Sequence, residues 1–233
     1  MSQTSRRLVI LNVITVVLMA AALALVFLYA PRERQMGEVQ RIFYFHVPSA
    51  WVGFLAFFVT LCMSIAFLRT GDLKWDKVSA ASVEVGLVFT VMAIVSGSIW
   101  ARPAWNTWWT WDPRLTTYTI LALIYVAYLM LRQGVEDPGR RARFASVYGI
   151  VGFISVPLTF FSIRWWRTIH PVVIGNATAT SIGGFDMTPP MLQVFFFSLF
   201  AFTVLYFCFL ANRLQLQREM DQVEQLKAEA MAD

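Results

Sequence analysis

The chain has 233 residues, of which 58% are hydrophobic and only 14% charged, and its mean hydropathy is +0.60. A soluble domain carries about 25% charged residues, so this composition excludes a soluble globular enzyme and describes a polytopic membrane protein. The formal net charge of +5 reads as basic loops gripping anionic lipid rather than as a nucleic-acid surface.

A bilayer-spanning helix needs about 20 mostly apolar residues. Six stretches qualify, at residues 8–30, 49–68, 80–99, 115–131, 145–163 and 191–211. Backbone groups in hydrocarbon must bond internally, so each is expected to be a helix. The fold class is therefore all-α, one integral membrane domain over residues 1–233. With the N-terminus inside, twelve Lys and Arg fall in cytoplasmic segments and seven in outer ones. The excess of positive charge places both termini in the cytoplasm.

Span one is too long for a cleaved signal core, and Tyr29-Ala30-Pro31 is a poor cleavage site. Asn12 and Thr15 near its start are expected to face a neighbouring helix. Outside, Met36, Val39, Ile42 and Phe43 recur at helical spacing and predict a short surface helix. It is expected to end at His46-Val47-Pro48, with Ser49 capping span two. Cys62 and Cys208 lie in spans two and six, far from any C-x-x-C spacing, and read as buried filler. Span three carries Glu84, expected to reach Lys77 or water at the inner end.

Residues 100–116 read W-A-R-P-A-W-N-T-W-W-T-W-D-P-R-L-T. Five of the nine tryptophans fall here: Trp100, Trp105, Trp108, Trp109 and Trp111. That density exceeds an interfacial aromatic belt. If residues 105–112 are helical, Trp105, Trp108, Trp109 and Asp112 share one face. Pro103 and Pro113 bracket this platform, and Arg102 and Arg114 put a cation at either end.

Span five contains Pro157 and should be kinked. It ends in W-W-R-T-I-H at residues 165–170, followed by a long outer loop at 172–190. The segment 213–233 reads as a charged cytoplasmic helix. The only two histidines, His46 and His170, both fall on the tryptophan side, each beside a proline. Tetrahedral zinc wants more ligands close together. Haem fits better: its iron takes axial imidazoles, its macrocycle stacks on indoles, and its propionates match arginine forks. No hydrolase triad, phosphate loop or proton relay is present.

The combined pattern W-x-R-P-x-W-x-T-W-W-x-W-D-x-R-L-T resembles the tryptophan-rich signature of membrane proteins that handle haem in cytochrome c maturation. Together with R-I-F-Y-F-H-V-P and W-W-R-T-I-H, it is most similar to the haem exporter protein C family, also called CcmC, over residues 8–211. The resemblance implies that His46 and His170 are the axial ligands of a haem b lying over the tryptophan segment. By the same likeness Trp100, Arg102, Trp105, Trp108, Trp109, Trp111, Asp112 and Arg114 surround it. Ala101 and Asn106 stand where the family usually has glycine.

The implied function is delivery of haem, at the outer face of a bacterial inner membrane, to a periplasmic haem chaperone, cytochrome c maturation protein E. The implied complex holds an ABC-type ATP-binding subunit, a second multispan subunit and a small membrane subunit. This chain is then no enzyme, and ATP hydrolysis belongs to a partner. A cytochrome c synthase of the same superfamily is the rival reading. Its motif continues Trp-Asp-Pro-Lys-Glu and it has further intramembrane histidines, whereas this chain has Trp111-Asp112-Pro113-Arg114-Leu115. A di-haem electron-transfer anchor needs histidine pairs within facing helices, which no span offers. A ligand-free structural subunit is the third alternative.

Overall fold

A computed structural model describes residues 3–171 and 187–232, and the expected loop at 172–190 lies largely outside the described residues. The described residues are helical apart from short connections and one isolated bridge between Glu33 and Gly37. The helices are α1 (Gln3–Ala24), α2 (Phe43–Thr70), α3 (Leu73–Trp105), α4 (Pro113–Gln133), α5 (Pro138–Gly152), α6 (Ser155–Trp165) and α7 (Pro189–Ala232). Among the described residues six helical units are long and apolar enough to cross a membrane, with α5 and α6 together forming the fifth. The helices overrun the hydropathy windows because hydropathy sees only their apolar middles.

Local chemistry sets the helix ends. Gly71 closes α2 with φ of 70°, and its N–H bonds the Phe67 carbonyl at 2.8 Å. Only a residue without Cβ adopts that conformation freely. Asp72 then caps α3 by accepting from the Lys74 N–H at 2.9 Å. The Asp-Pro pairs at 112–113 and 137–138 both cap a helix with the acid and open it with the proline, whose missing N–H costs nothing there.

Interruptions of the helices have identifiable causes. Pro157 has no N–H for the Phe153 carbonyl, and the chain breaks at 153–154. The freed carbonyl accepts instead from the Val156 N–H at 2.9 Å. Span one ends in a π turn, Leu25–Tyr29, and the Arg41 guanidinium donates to the carbonyls of Val26 and Ala30. Near the start of α2 the expectation fails. The short helix of residues 38–42 is a 3-10 turn that runs straight into α2, so His46 and Pro48 are inside a helix. Ser49 is not a cap; its hydroxyl donates to the Phe45 carbonyl at 2.7 Å.

The centre of the bundle is the pair α2 and α3. A Cβ on Gly86 would come within 2.6 Å of the Ala56 Cβ, so the two backbones approach more closely than larger residues allow. Ser82 donates to the Ala56 carbonyl at 2.7 Å and meets the Tyr206 hydroxyl of α7 at 2.8 Å. Phe57 stacks on Tyr125 of α4 with centroids 3.6 Å apart. Asn12 faces α7 as expected, pairing with Asn212, and Cys208 donates its thiol to Asn12 rather than acting as inert filler.

Ion pairs lock the end of the bundle where the termini lie. Asp76 and Arg132 form a two-pronged pair at 2.5 and 2.9 Å. Glu84 pairs with Arg213 at 2.5 and 3.0 Å, not with Lys77, which instead bonds Asp221 at 2.5 Å. Asp76 is 3% exposed, and losing it strands the partly buried guanidinium of Arg132. Asp76→Ala is expected to destabilise the protein by about 3–5 kcal/mol, read as a lowered thermal midpoint in detergent. Lys77→Ala, which breaks an exposed pair, should cost at most about 1 kcal/mol.

Candidate functional site

At the other end of the bundle, a cavity of about 480 Å³ is walled by α2, α3, α4, α6 and α7. That is within the usual range for a small-molecule or cofactor site. Both histidines line it, with Trp100, Trp105, Trp108, Trp109, Arg114 and Arg164. Two residues 124 positions apart thus come together: the His46 and His170 rings lie 6.5 Å apart, tilted by 38°.

His46 sits in the first turn of α2, and α3 shapes its seat. Its Nδ1 lies 3.0 Å from the Ala93 carbonyl. A carbonyl only accepts, so Nδ1 carries the hydrogen and Nε2 keeps its lone pair. A Cβ on Gly97 would fall 2.8 Å from the imidazole Cε1; the absent side chain is the space the ring occupies. His170 follows α6 in irregular backbone. Its Nδ1 donates to the Pro171 carbonyl at 3.1 Å, which again leaves Nε2 as the acceptor. In metal sites the second ring nitrogen is held in this way.

The tryptophan segment is not the two-turn helix its spacing suggests. Helix α3 ends at Trp105, and Asn106 takes the left-handed conformation with φ of 55°. Residues 106–112 are irregular until Asp112 caps α4. Pro103 lies within α3 rather than bracketing the platform. Asparagine is among the few residues other than glycine that tolerate this backbone. Trp100 and Trp105 meet edge to face at 5.2 Å, and Trp109 meets Trp111 likewise at 5.8 Å.

Three expected site residues lie off the cavity wall. Trp111 is 74% exposed. Arg102 donates to the Asn106 carbonyl and side-chain oxygen at 2.8 and 3.0 Å, tying down the end of α3. Asp112 accepts from the Leu115 N–H at 3.0 Å and from the Thr168 hydroxyl. Arg114 is on the wall, donating to the Thr159 carbonyl and lying 5.8 Å from the Phe54 ring centre. Sequence reasoning missed Gly97, Ala93 and Trp51. Gly97 stands in an ordinary small-residue run, and a backbone carbonyl has no sequence signature. Trp51, which lines the cavity, donates to Thr203 at 3.1 Å.

Burial pushes the His170 pKa down to about 4, helped by the positive charge of Arg114 and by His46. The imidazole is therefore neutral at physiological pH and free to bind a metal. The unfolded chain takes up a proton near pH 6.5, while folded His170 does so only near 4. Protonation thus favours unfolding, and stability is lost as pH falls from about 6.5 towards 4. A pH series of thermal midpoints should show this loss, and His170→Gln should make it shallower.

These features define a multi-pass helical membrane protein whose cavity, near one end of the bundle, pairs two histidines against a tryptophan wall. The profile of the family described as "Heme exporter protein C" matches residues 1–229, and the chain belongs to that family. It is 37% identical to a heme exporter protein C of Bradyrhizobium diazoefficiens, over 98% of this chain and 86% of the relative. A putative cytochrome c biosynthesis ccmC-like mitochondrial protein of Marchantia polymorpha is 34% identical, covering 82% and 80%. The heme exporter protein C of Escherichia coli K12 is 33% identical over 62% of this chain and 59% of its own length.

Proposed function

We propose that this chain holds one haem b as cargo between His46 and His170 and passes it to a periplasmic haem chaperone. The observation that carries this is the histidine pair: two imidazoles 6.5 Å apart, both with Nδ1 bonded to a carbonyl, over a tryptophan-walled cavity. Family membership supplies the coarser function, haem handling in cytochrome c maturation.

The residues divide the work. His46 and His170 each offer Nε2 to iron. Trp100, Trp105, Trp108 and Trp109 offer apolar faces to a macrocycle. Arg114 and Arg164 supply positive charge for propionates, where charge-assisted bonds contribute about 1.5–3 kcal/mol each. Iron held by two imidazoles is six-coordinate. The excess of basic residues at the termini end supports an outward-facing cavity and cytoplasmic termini in a bacterial inner membrane. The chain carries no nucleotide-binding loop, which favours an ABC-type complex whose ATP-binding subunit, second multispan subunit and small membrane subunit are separate chains. The synthase alternative is disfavoured by the residue count, because only two histidines exist.

Purified protein loaded with haem should give a low-spin, six-coordinate absorption spectrum. His46→Ala and His170→Ala should each shift iron towards high spin and lower transfer to the chaperone, and added imidazole should restore the low-spin spectrum. A low-spin spectrum that persists in either variant without imidazole rules out the ligand pair.

The wall has its own test. Arg114→Ala should reduce retained haem, and Trp108→Ala and Trp109→Ala should reduce it further through lost ring contact, with the apoproteins still folded by circular dichroism. Full haem content in all three variants would place the cargo elsewhere.

A further inference from the structure

We propose that Thr168 and Asp112 are positioning residues that aim His170 into the cavity through a hydrogen-bonded strut. The inference rests on His170 being an axial ligand.

The two histidines are held by different means. His46 rides on α2 and is seated against α3. Among the described residues His170 lies on no helix, because α6 stops at Trp165 and Trp166 is already extended. The backbone at 170 is instead tied to Thr168. The His170 N–H donates to the Thr168 hydroxyl oxygen at 3.0 Å, and that hydroxyl donates its only hydrogen to Asp112. The remaining carboxylate oxygen accepts from the Leu115 N–H at 3.0 Å and caps α4. The chain of donors runs one way, from backbone amide to hydroxyl to carboxylate, so each bond polarises the next.

The strut also links the two halves of the site. Asp112 closes the tryptophan segment and opens the helix that carries Arg114 two residues on. The ring of His170 is referred to the same local backbone, since its Nδ1 bonds the Pro171 carbonyl. One carboxylate therefore sets the relative position of an iron ligand, the tryptophan wall and a propionate cation while lying off the wall itself. Supporting groups of this kind commonly change metal affinity by roughly 10–100-fold when removed.

The test uses the full chain in detergent, titrated with haem and followed by absorption and electron paramagnetic resonance. Thr168→Val removes the hydroxyl and keeps the shape; Thr168→Ser keeps the hydroxyl. Asp112→Asn retains an acceptor for the α4 cap and takes away the second carboxylate oxygen. Thr168→Val and Asp112→Asn should each weaken haem binding at least roughly tenfold and give a mixed-spin spectrum that imidazole returns to low spin. Thr168→Ser should match the parent. The double variant Asp112→Asn/Thr168→Val should be no worse than either single one. Asp112→Asn carries the test alone if Thr168→Val does not fold. A lowered thermal midpoint with an unchanged low-spin spectrum and affinity would reduce the strut to a structural tie and overturn the proposal, while leaving the ligand pair standing. Low-spin iron in His170→Ala would overturn the ligand reading itself.

Discussion

Every feature of this molecule answers to the absence of water in hydrocarbon. A backbone carbonyl or amide left unmatched there costs several kcal/mol, so regular helix is the default and each departure must be repaired on the spot. The π turn of span one is repaired by Arg41, the break above Pro157 by a shortened turn, and the loss of helix after Trp105 by Arg102 on the Asn106 carbonyl. Irregular backbone borders the cavity at residues 106–112 and 166–171, while most of the wall is helical.

What could be read from the sequence follows from this. The six spans were legible because twenty apolar residues in a row have one outcome in a bilayer. The two histidines stood out by scarcity alone. The tryptophan segment misled for a specific reason: positions 105, 108, 109 and 112 have helical spacing whether or not a helix exists. The contrary signals were present, in an asparagine suited to left-handed backbone and an Asp-Pro pair that marks a helix start. Weighted above the aromatic periodicity, they would have ended one helix at 105 and begun the next at 113.

Long-range pairings were out of reach. Glu84 has Lys77 two turns away, but its partner Arg213 is 129 residues distant, and nothing local favours it. The seat of His46 depends on a missing side chain at Gly97 and a carbonyl at Ala93, neither of which announces itself. Asp112 and Arg102 were expected among the residues around the cargo, but neither lines the cavity. Both act on the backbone that carries the wall rather than as part of the wall.

Helix α7 runs 44 residues without an internal glycine or a proline beyond its first turn, about 66 Å at 1.5 Å per residue. The hydrocarbon core is about 30 Å thick. Roughly half of this rod therefore stands clear of the membrane, while its other half contributes Phe196, Phe200 and Thr203 to the cavity. No glycine or internal proline interrupts the helix between the two halves. The pairs that Glu84 and Lys77 make with it, beside the Asn12–Asn212 and Ser82–Tyr206 bonds, tie this rod to the rest of the bundle.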